Sequence, residues 1–153
     1  MAVDPAYAST EQLALVDLAL GDPRWAVALP VLQELRPHLT VELLEQVLHE
    51  GAPQGLTFTA VLVGERCVAV AGWRIIANTS AIRKLYVDDL STAASERSRG
   101  YGRMLLDELR ERAVAAGCRQ LDLDSGVQRF DAHRFYLRER MNIDAHHFSR
   151  HLG

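Results

Sequence analysis

The chain has 153 residues, of which 48% are hydrophobic and 24% are charged, and its formal net charge at pH 7 is -3. This length predicts one domain over residues 1–153 with one substantial core, and the acidic balance argues against a nucleic-acid partner, which needs a basic face. No run of about 18 apolar residues indicates a membrane helix, and Met1–Pro5 does not begin a secretory signal. We therefore expect a cytoplasmic protein without a membrane partner.

The first half of the chain is predicted to form one strand and two helices. A strand is expected over 11–20. A helix follows with Asp22 at its N-cap and Pro23 in its first turn. A second helix is predicted to begin at the cap Thr40 and to be closed by Gly51.

Strand signals dominate the middle of the chain. Thr57–Val63 and Cys67–Ile76 read as a hairpin around a turn at Gly64, because both runs are rich in β-branched residues. A further strand is predicted over Ala81–Val87. The segment Asp88–Ser98 is predicted to be a polar loop.

The remaining elements alternate between helix and strand. A helix is predicted from Tyr101 to its end at Gly117, then a strand over 119–123, a helix over 130–138 and a last strand over 143–149. Three hairpin-connected strands followed by crossovers indicate an α/β (α+β) fold. We expect a mixed central sheet of about six to seven strands with helices on both faces.

A glycine-rich segment separates the strands of the hairpin region from the long helix. Its sequence is Arg97-Ser98-Arg99-Gly100-Tyr101-Gly102. Glycines let backbone N–H groups approach a ligand, and the helix that begins here directs its positive dipole end to the same place, so the segment suits a phosphate-type anion. The P-loop signature and the third glycine of a dinucleotide fingerprint are both absent. A simple chain-reversing turn is the alternative interpretation.

Three motifs in order extend this interpretation. Leu85-Tyr86-Val87 precedes Arg97-x-x-Gly100-x-Gly102, and Ala132-x-x-Phe135-Tyr136 follows it. Together they resemble the coenzyme core of the GNAT family of N-acetyltransferases over about residues 57–149, and the chain is similar to a bacterial subgroup of uncharacterised members. The resemblance implies a GNAT-like fold and acetyl-CoA as co-substrate. No metal is expected, because His147 and His151 lie four residues apart at a predicted strand, where that spacing does not make a helical ligand pair.

The resemblance also implies a set of coenzyme-binding residues. The backbone of Leu85–Val87 is expected to pair with the pantetheine arm, as an added strand would. The glycine segment is expected to hold the pyrophosphate, with arginines adding charge-assisted hydrogen bonds. The expected ligands are Leu85, Tyr86, Val87, Arg97, Ser98, Arg99, Gly100, Tyr101, Gly102, Arg103 and His133.

Candidate catalytic residues follow from the same resemblance and from chain order. Tyr136 is implied to protonate the departing thiolate of coenzyme A, although a core aromatic on an amphipathic helix is the alternative. Asp88 is a candidate base that acts through a water, as is its neighbour Asp89, and a solvated loop acid is the plainer interpretation. His147 is another candidate base, because one of the paired histidines on the last predicted strand can face the acceptor.

Two departures from the family pattern concern the region around the acceptor. Arg129 stands where asparagine is common, and Arg140 stands where glycine is common. Because a left-handed helix exit is costly without glycine, Asn142 is expected to adopt that conformation instead.

The resulting functional hypothesis is acetyl transfer from acetyl-CoA to a primary amine by direct attack in a ternary complex. The acceptor is expected to be a small-molecule amine or a peptide N-terminus or lysine, and a homodimer is one expected assembly. A non-catalytic acyl-CoA sensor or scaffold is the main alternative. A protein-interaction domain that keeps only the fold is a third.

Cys67 and Cys118, each in an apolar segment, are expected to be small buried residues rather than a disulfide or metal pair.

Overall fold

A computed structural model describes residues 11–153 of the chain. Met1–Pro5, considered above for a secretory signal, lies outside the described residues. The elements in chain order are β1 (Leu13–Asp17), α1 (Trp25–Leu35), α2 (Val41–Gly51), β2 (Thr57–Val63), β3 (Arg66–Ile76), β4 (Lys84–Thr92), α3 (Tyr101–Ala115), β5 (Gln120–Leu123) and α4 (Phe130–Arg138). Short 3-10 turns at Ala52–Gln54 and Ala94–Glu96 follow α2 and β4.

The strands form one mixed sheet in the order β1-β2-β3-β4-β5. The first four pair antiparallel, and β4 pairs parallel with β5. One core cluster packs α1 and α2 on one face of the sheet around Leu32 and Phe58, and a second packs α3 on the other face around Leu85 and Leu105. The predicted α+β layering, with helices on both faces, is confirmed. Among the described residues there are five strands rather than the predicted six to seven.

The missing strand is the one predicted over 143–149. Residues 142–153 are neither helix nor strand, and every one of them is exposed. A strand needs the hydrogen bonds of a neighbour, and within residues 11–153 no strand pairs with this segment.

Strand β4 is longer than the sequence suggests. Asp88–Thr92, predicted as the start of a polar loop, continues β4 beyond Val87. The register passes from Trp73 opposite Val87 to Gly72 opposite Asp89, so Asp88 is the extra residue of a β-bulge. The bulge places two adjacent charged side chains in a strand whose pairing continues past them.

The predicted helix ends at Thr40 and Gly117 are confirmed, whereas the N-cap of α1 is Arg24 and not Asp22. Thr40 caps α2, because its Oγ1 accepts a hydrogen bond from the Leu43 N–H at 3.1 Å. Gly51, however, does not close that helix: the chain continues into the 3-10 turn and reverses at Gly55, whose φ is 81°. Gly51 is required for space, because a Cβ there would lie 2.6 Å from the Leu56 side chain. Gly117 ends α3 with φ 73°, as predicted.

Within the part of the chain that the structure describes, no helix is both long and apolar enough to cross a membrane.

Candidate functional site

A cleft of about 860 Å³ opens between the end of β4, the beginning of α3, the C-terminal end of α1 and one side of α4. The glycine segment forms one end of this cleft, and Tyr136 lies on the α4 wall. The cleft therefore brings together the second and third of the three sequence motifs.

The backbone of the glycine segment presents an array of unpaired donors. Among the described residues, no N–H group from Arg97 to Arg103 has a hydrogen-bond partner, and the first helical bond of α3 runs from the Met104 N–H to the Gly100 carbonyl. Ser98 and Gly100 have φ values of 65° and 86°, which curve the chain so that successive N–H groups converge. Free N–H groups at a helix N-terminus are the geometry that anion sites use in other proteins.

The two glycines of the segment have different physical roles. Gly100 needs its left-handed φ of 86°, and a Cβ there would meet nothing within 4 Å. At Gly102 the φ is ordinary, but a Cβ would lie 3.2 Å from Thr92 Oγ1 and 3.7 Å from the Phe135 ring. Gly100 therefore sets the turn, whereas Gly102 keeps the cleft open.

The three arginines of the segment differ in their partners. Arg99 lies 3.1 Å from the buried carboxylate of Glu96, which also pairs with Arg66. Arg103 lies 3.6 Å from Glu139. Arg97 lines the cleft and has no acidic partner among the described residues, so it is the cation of the segment best placed for an incoming anion.

The free edge of β4 lies beyond the residues that the sequence predicted. Leu85–Val87 is paired on one side with β3 and on the other with β5, and the pairing with β5 ends at Val87 opposite Leu123. Their backbone is therefore already occupied, and the side chains of Leu85 and Val87 are buried in the core. Past this point β4 continues without β5, and Leu90–Thr92 lines the cleft. The free strand edge that faces the cleft is therefore at Leu90–Thr92, and not at Leu85–Val87 as the sequence predicted.

The sequence gives little indication that β4 continues to Leu90–Thr92, because the adjacent charges of Asp88 and Asp89 interrupt the apolar pattern. In the structure the strand continues past them through the β-bulge. Ser91 then fixes the position of this segment, since its buried Oγ donates a hydrogen bond of 2.8 Å to the Val31 carbonyl of α1.

Tyr136 faces the cleft from α4. Burial raises the pKa of its phenol above the ordinary value, and the nearby positive charge of Arg129 opposes that shift to a smaller extent. The phenol is therefore protonated at neutral pH. Phe135, whose ring centroid lies 5.3 Å from that of Tyr136, lines the same wall.

The two acids of β4 are each held by an arginine. Asp88 accepts two hydrogen bonds from Arg74, at 3.0 and 3.1 Å, and burial raises the pKa of its carboxyl while Arg74 opposes the shift. Asp89 accepts one at 2.7 Å from Arg36. Asp89 also lines a second cavity of about 330 Å³ beneath the α1–α2 connection, which the sequence had not indicated.

The two histidines predicted at the site lie outside the cleft. The His133 Nε2 is 2.8 Å from the Gly126 carbonyl, so this ring braces the connection between β5 and α4. His147 stands on the exposed C-terminal segment, with its Nδ1 3.6 Å from an oxygen of Asp124. Asp124 in turn accepts a hydrogen bond of 2.6 Å from the Tyr86 hydroxyl.

Comparison with known families agrees with this geometry. Residues 23–141 match the model of the acetyltransferase (GNAT) family, so the match includes the glycine segment, β4 and α4. The chain belongs to the GNAT acetyltransferase family.

Individual relatives support the assignment. The uncharacterised N-acetyltransferase YhdJ of Bacillus subtilis is 38% identical over 114 residues, which cover 73% of this chain and 80% of that protein. The aminoglycoside N-acetyltransferase AAC(6')-Iy, solved with CoA, is 12% identical with a TM-score of 0.77, over 92% of this chain and 95% of the other. An aminoglycoside acetyltransferase from an uncultured soil metagenomic sample, solved with trehalose, is 15% identical with a TM-score of 0.75, over 92% and 97%. These two solved structures share the GNAT fold.

The end of α4 differs from what the sequence predicted for this GNAT chain. Arg140 itself adopts the left-handed conformation, with φ 64°, and Asn142 does not. The Arg140 N–H donates to the Leu137 carbonyl, and the Met141 N–H donates to the Tyr136 carbonyl. These two bonds form a Schellman motif, which requires a left-handed residue at position 140 whatever its side chain.

Among the described residues, no three His, Cys, Asp or Glu side chains are grouped so that they could hold a metal ion.

Proposed function

We propose that this GNAT protein transfers the acetyl group of acetyl-CoA to a primary amine by direct attack in a ternary complex. The observation that carries the proposal is one continuous cleft with three features in it. Free N–H groups lie at one end, an unpaired strand edge lies along one wall, and a half-buried, protonated phenol lies on the α4 wall.

The donor is proposed to bind along the whole length of this cleft. Its pyrophosphate would accept hydrogen bonds from the N–H groups of Arg97–Arg103, with Arg97 adding a charge-assisted contact. Its pantetheine arm carries amide groups that can pair with the free edge at Leu90–Thr92, as an added strand does. This route would bring the thioester toward the bulge at Asp88, where β4 and β5 separate.

The chemical step needs no nucleophile from the protein. The neutral amine attacks the thioester carbonyl, a C–N bond forms, the C–S bond breaks, and coenzyme A leaves as a thiolate. Backbone N–H groups of β4 beyond Val87 would polarise the carbonyl, and Tyr136 would donate its proton to the thiolate sulfur. The proton that the nitrogen loses as the amide forms would return to the Tyr136 oxygen, so that the phenol is restored. Holding both reactants in one cleft supplies the orientation that the reaction requires.

The second cavity is the proposed place for the acceptor. It is lined by apolar side chains from α1, α2 and β2 and by the ion pair of Arg36 with Asp89. Arg36 balances the charge of Asp89, so the support for an amine comes from the neighbours: two solved structures of the same fold are aminoglycoside acetyltransferases. A small-molecule amine is therefore the proposed acceptor class, ahead of a peptide N-terminus or lysine.

The proton that the ammonium group loses before attack is proposed to pass to a carboxylate of β4. Asp88 would act through a water, and Asp89 is the acid that lines the second cavity. The variants Asp88→Asn and Asp89→Asn separate the two. If the replaced carboxylate is the base, its variant is expected to lower kcat most at pH values below the pKa of the amine, where the amine must lose a proton. If the carboxylate only contacts the acceptor, its variant is expected to raise KM.

Release of free coenzyme A thiol, measured across amines, aminoglycosides, polyamines and peptide N-termini, tests the proposal. Turnover with at least one amine is expected, and Tyr136→Phe is expected to remove most of it while leaving acetyl-CoA affinity unchanged in calorimetry. Binding without turnover on any acceptor would instead support the acyl-CoA sensor or scaffold. Absence of acetyl-CoA binding would overturn both readings.

A further inference from the structure

The second cavity, beneath the α1–α2 connection, has an apolar wall and a charged rim. Five apolar side chains form the wall: Leu32, Leu39, Leu44, Val47 and Phe58. The rim carries the ion pair of Arg36 with Asp89, whose side chains are 46% and 16% exposed. Its volume of about 330 Å³ lies near the lower end of the range for small-molecule sites. The cavity therefore suits a small ligand that has one apolar part and one charged part.

The ion pair at the rim leaves groups of both signs free. Arg36 Nε donates a hydrogen bond of 2.7 Å to Asp89 Oδ1, and Arg36 Nη2 donates one of 3.3 Å to the Asp88 carbonyl. Within residues 11–153, neither Asp89 Oδ2 nor Arg36 Nη1 has a hydrogen-bond partner. Because a carboxylate accepts and a guanidinium donates, the rim can bind an ammonium group and a carboxylate at the same time.

The rim also lies next to the place proposed for the thioester. Arg36 is the C-cap residue of α1. Asp89 directly follows the bulge residue Asp88, in the part of β4 where the pairing with β5 has ended. An amine held by Asp89 would therefore be close to the acetyl group that it must attack.

We propose that the acceptor is a free α-amino acid with an apolar side chain. This inference rests on the proposed function, because it names the acceptor of the same site. The ammonium group binds Asp89 Oδ2, the carboxylate accepts hydrogen bonds from Arg36, and the side chain packs against the apolar wall. After losing a proton, the nitrogen attacks the thioester, a C–N bond forms and the C–S bond breaks. The products are an N-acetyl amino acid and the thiol of coenzyme A.

Other small amines match the cavity less well. An aminoglycoside has no carboxylate for Arg36, whose charge would repel its ammonium groups, and its hydroxyls would face an apolar wall without hydrogen-bond partners. A simple alkyl amine fills the wall but leaves Arg36 without a ligand. A peptide N-terminus has an amide where a free amino acid has its carboxylate. An apolar amino acid provides a partner for Asp89, for Arg36 and for the wall.

The carboxylate contact is tested with L-leucine and isopentylamine, which is the same molecule without its carboxylate. Arg36→Gln is expected to raise the KM for L-leucine by roughly 10- to 100-fold, as loss of a charge-assisted contact does, and to change the KM for isopentylamine little. Arg24→Gln is the matched control. Arg24 pairs with Asp22 at the same 2.7 Å, with side chains 43% and 14% exposed, and does not line the cavity. Equal effects of Arg36→Gln on the two amines would overturn the proposal.

The apolar wall is tested at Val47, which is 40% exposed and can be replaced without opening the core. Val47→Asn is expected to lower the preference for L-leucine over glycine, measured as the ratio of the two kcat/KM values, by roughly tenfold. Val41→Asn is the matched control, because Val41 is on the same helix and 55% exposed but does not line the cavity. An unchanged preference in Val47→Asn would contradict the position proposed for the side chain.

A binding measurement separates this inference from the proposed acetyl transfer. Saturation-transfer NMR with coenzyme A present is expected to show L-leucine methyl signals for the wild type and for Arg24→Gln, and to lose them for Arg36→Gln. If L-leucine binds in this way and no amine is acetylated, the amino-acid site stands and the proposed function is wrong. If isopentylamine is acetylated while L-leucine neither binds nor reacts, the proposed function stands and the amino-acid site is overturned.

Discussion

Gly102 and Thr92 approach each other so closely that a Cβ at position 102 would lie 3.2 Å from Thr92 Oγ1. Gly102 belongs to the first turn of α3, and Thr92 is the last residue of β4. The proposed pyrophosphate site and the proposed pantetheine edge therefore meet at this contact. The Phe135 ring, 3.7 Å from the same Cβ position, adds the α4 wall.

Gly102→Ala is expected to narrow the cleft without straining the backbone. The added methyl group displaces Thr92 or Phe135 and partly fills the path of the pantetheine arm. We expect acetyl-CoA affinity to fall about tenfold, or ~1.4 kcal/mol, with little change in the melting temperature. Calorimetry and a thermal melt measure the two effects. An unchanged affinity would show that the donor does not pass this contact.

Gly100→Ala is expected to act through conformation instead of space. Its left-handed φ costs a residue with a Cβ roughly 1–2 kcal/mol, and the strain displaces the N–H groups around it. Gly117→Ala is the matched control, because Gly117 has φ 73° and open space at the opposite end of α3. Both variants should lose similar stability, and only Gly100→Ala should lose acetyl-CoA affinity. Equal affinities in the two variants would argue against an anion site at the N-terminus of α3.

Arg97→Gln is expected to weaken the binding of coenzyme A by removing a cation from the phosphate end of the cleft. The loss is expected to be about tenfold, from one charge-assisted hydrogen bond that is partly screened by solvent. If Arg97 contacts the pyrophosphate, the loss is the same for 3′-dephospho-coenzyme A; if it contacts the 3′-phosphate, the loss disappears with that ligand. Arg110→Gln, on the exposed side of α3, serves as the control and should bind both ligands as the wild type does.

The elements that the sequence predicted well are those specified by neighbouring residues. The cap at Thr40, the left-handed Gly117 and the helix over Phe130–Arg138 all depend on signals within a few positions. The glycine segment is equally local, because a glycine-rich turn followed by an amphipathic pattern predicts both the turn and the helix. Its partner-free N–H groups follow from that geometry.

The elements that the sequence did not predict depend on pairing between distant residues. Whether β4 ends at Val87 or Thr92 depends on the bulge against Gly72 and Trp73 on β3. Whether Leu85–Val87 offers a free edge depends on where β5 stops. The strand predicted over 143–149 is absent for the same reason, because composition does not determine whether a segment has a neighbouring strand to pair with.

Tyr136→Phe tests the proton donor through its pH dependence. Burial raises the pKa of the phenol, so the acid stays protonated from neutral pH up to at least its ordinary value of about 10. Ionisation of Tyr136 is therefore expected to cause no fall in the wild-type kcat between about pH 7 and pH 9. The kcat of Tyr136→Phe is expected to be about 100-fold or more below that of the wild type at every pH. A decline of the wild-type kcat in this range that is absent from Tyr136→Phe would mean that the phenol ionises there and would contradict the assignment.

Arg140→Gly is expected to stabilise the fold, because position 140 holds the left-handed residue of the Schellman motif at the end of α4. An arginine there costs roughly 1–2 kcal/mol, and the greater entropy of glycine in the unfolded chain offsets about 0.5–1 kcal/mol of that gain. A net gain of about 0.5–1 kcal/mol should raise the melting temperature by roughly 1–4 °C for a chain of this size. Arg138→Gly, two residues earlier and still helical, is the matched control and should lower it, since glycine in a helix costs up to about 1 kcal/mol. If both variants lower the melting temperature equally, the side chain of Arg140 makes a stabilising contact that outweighs the strain of its backbone.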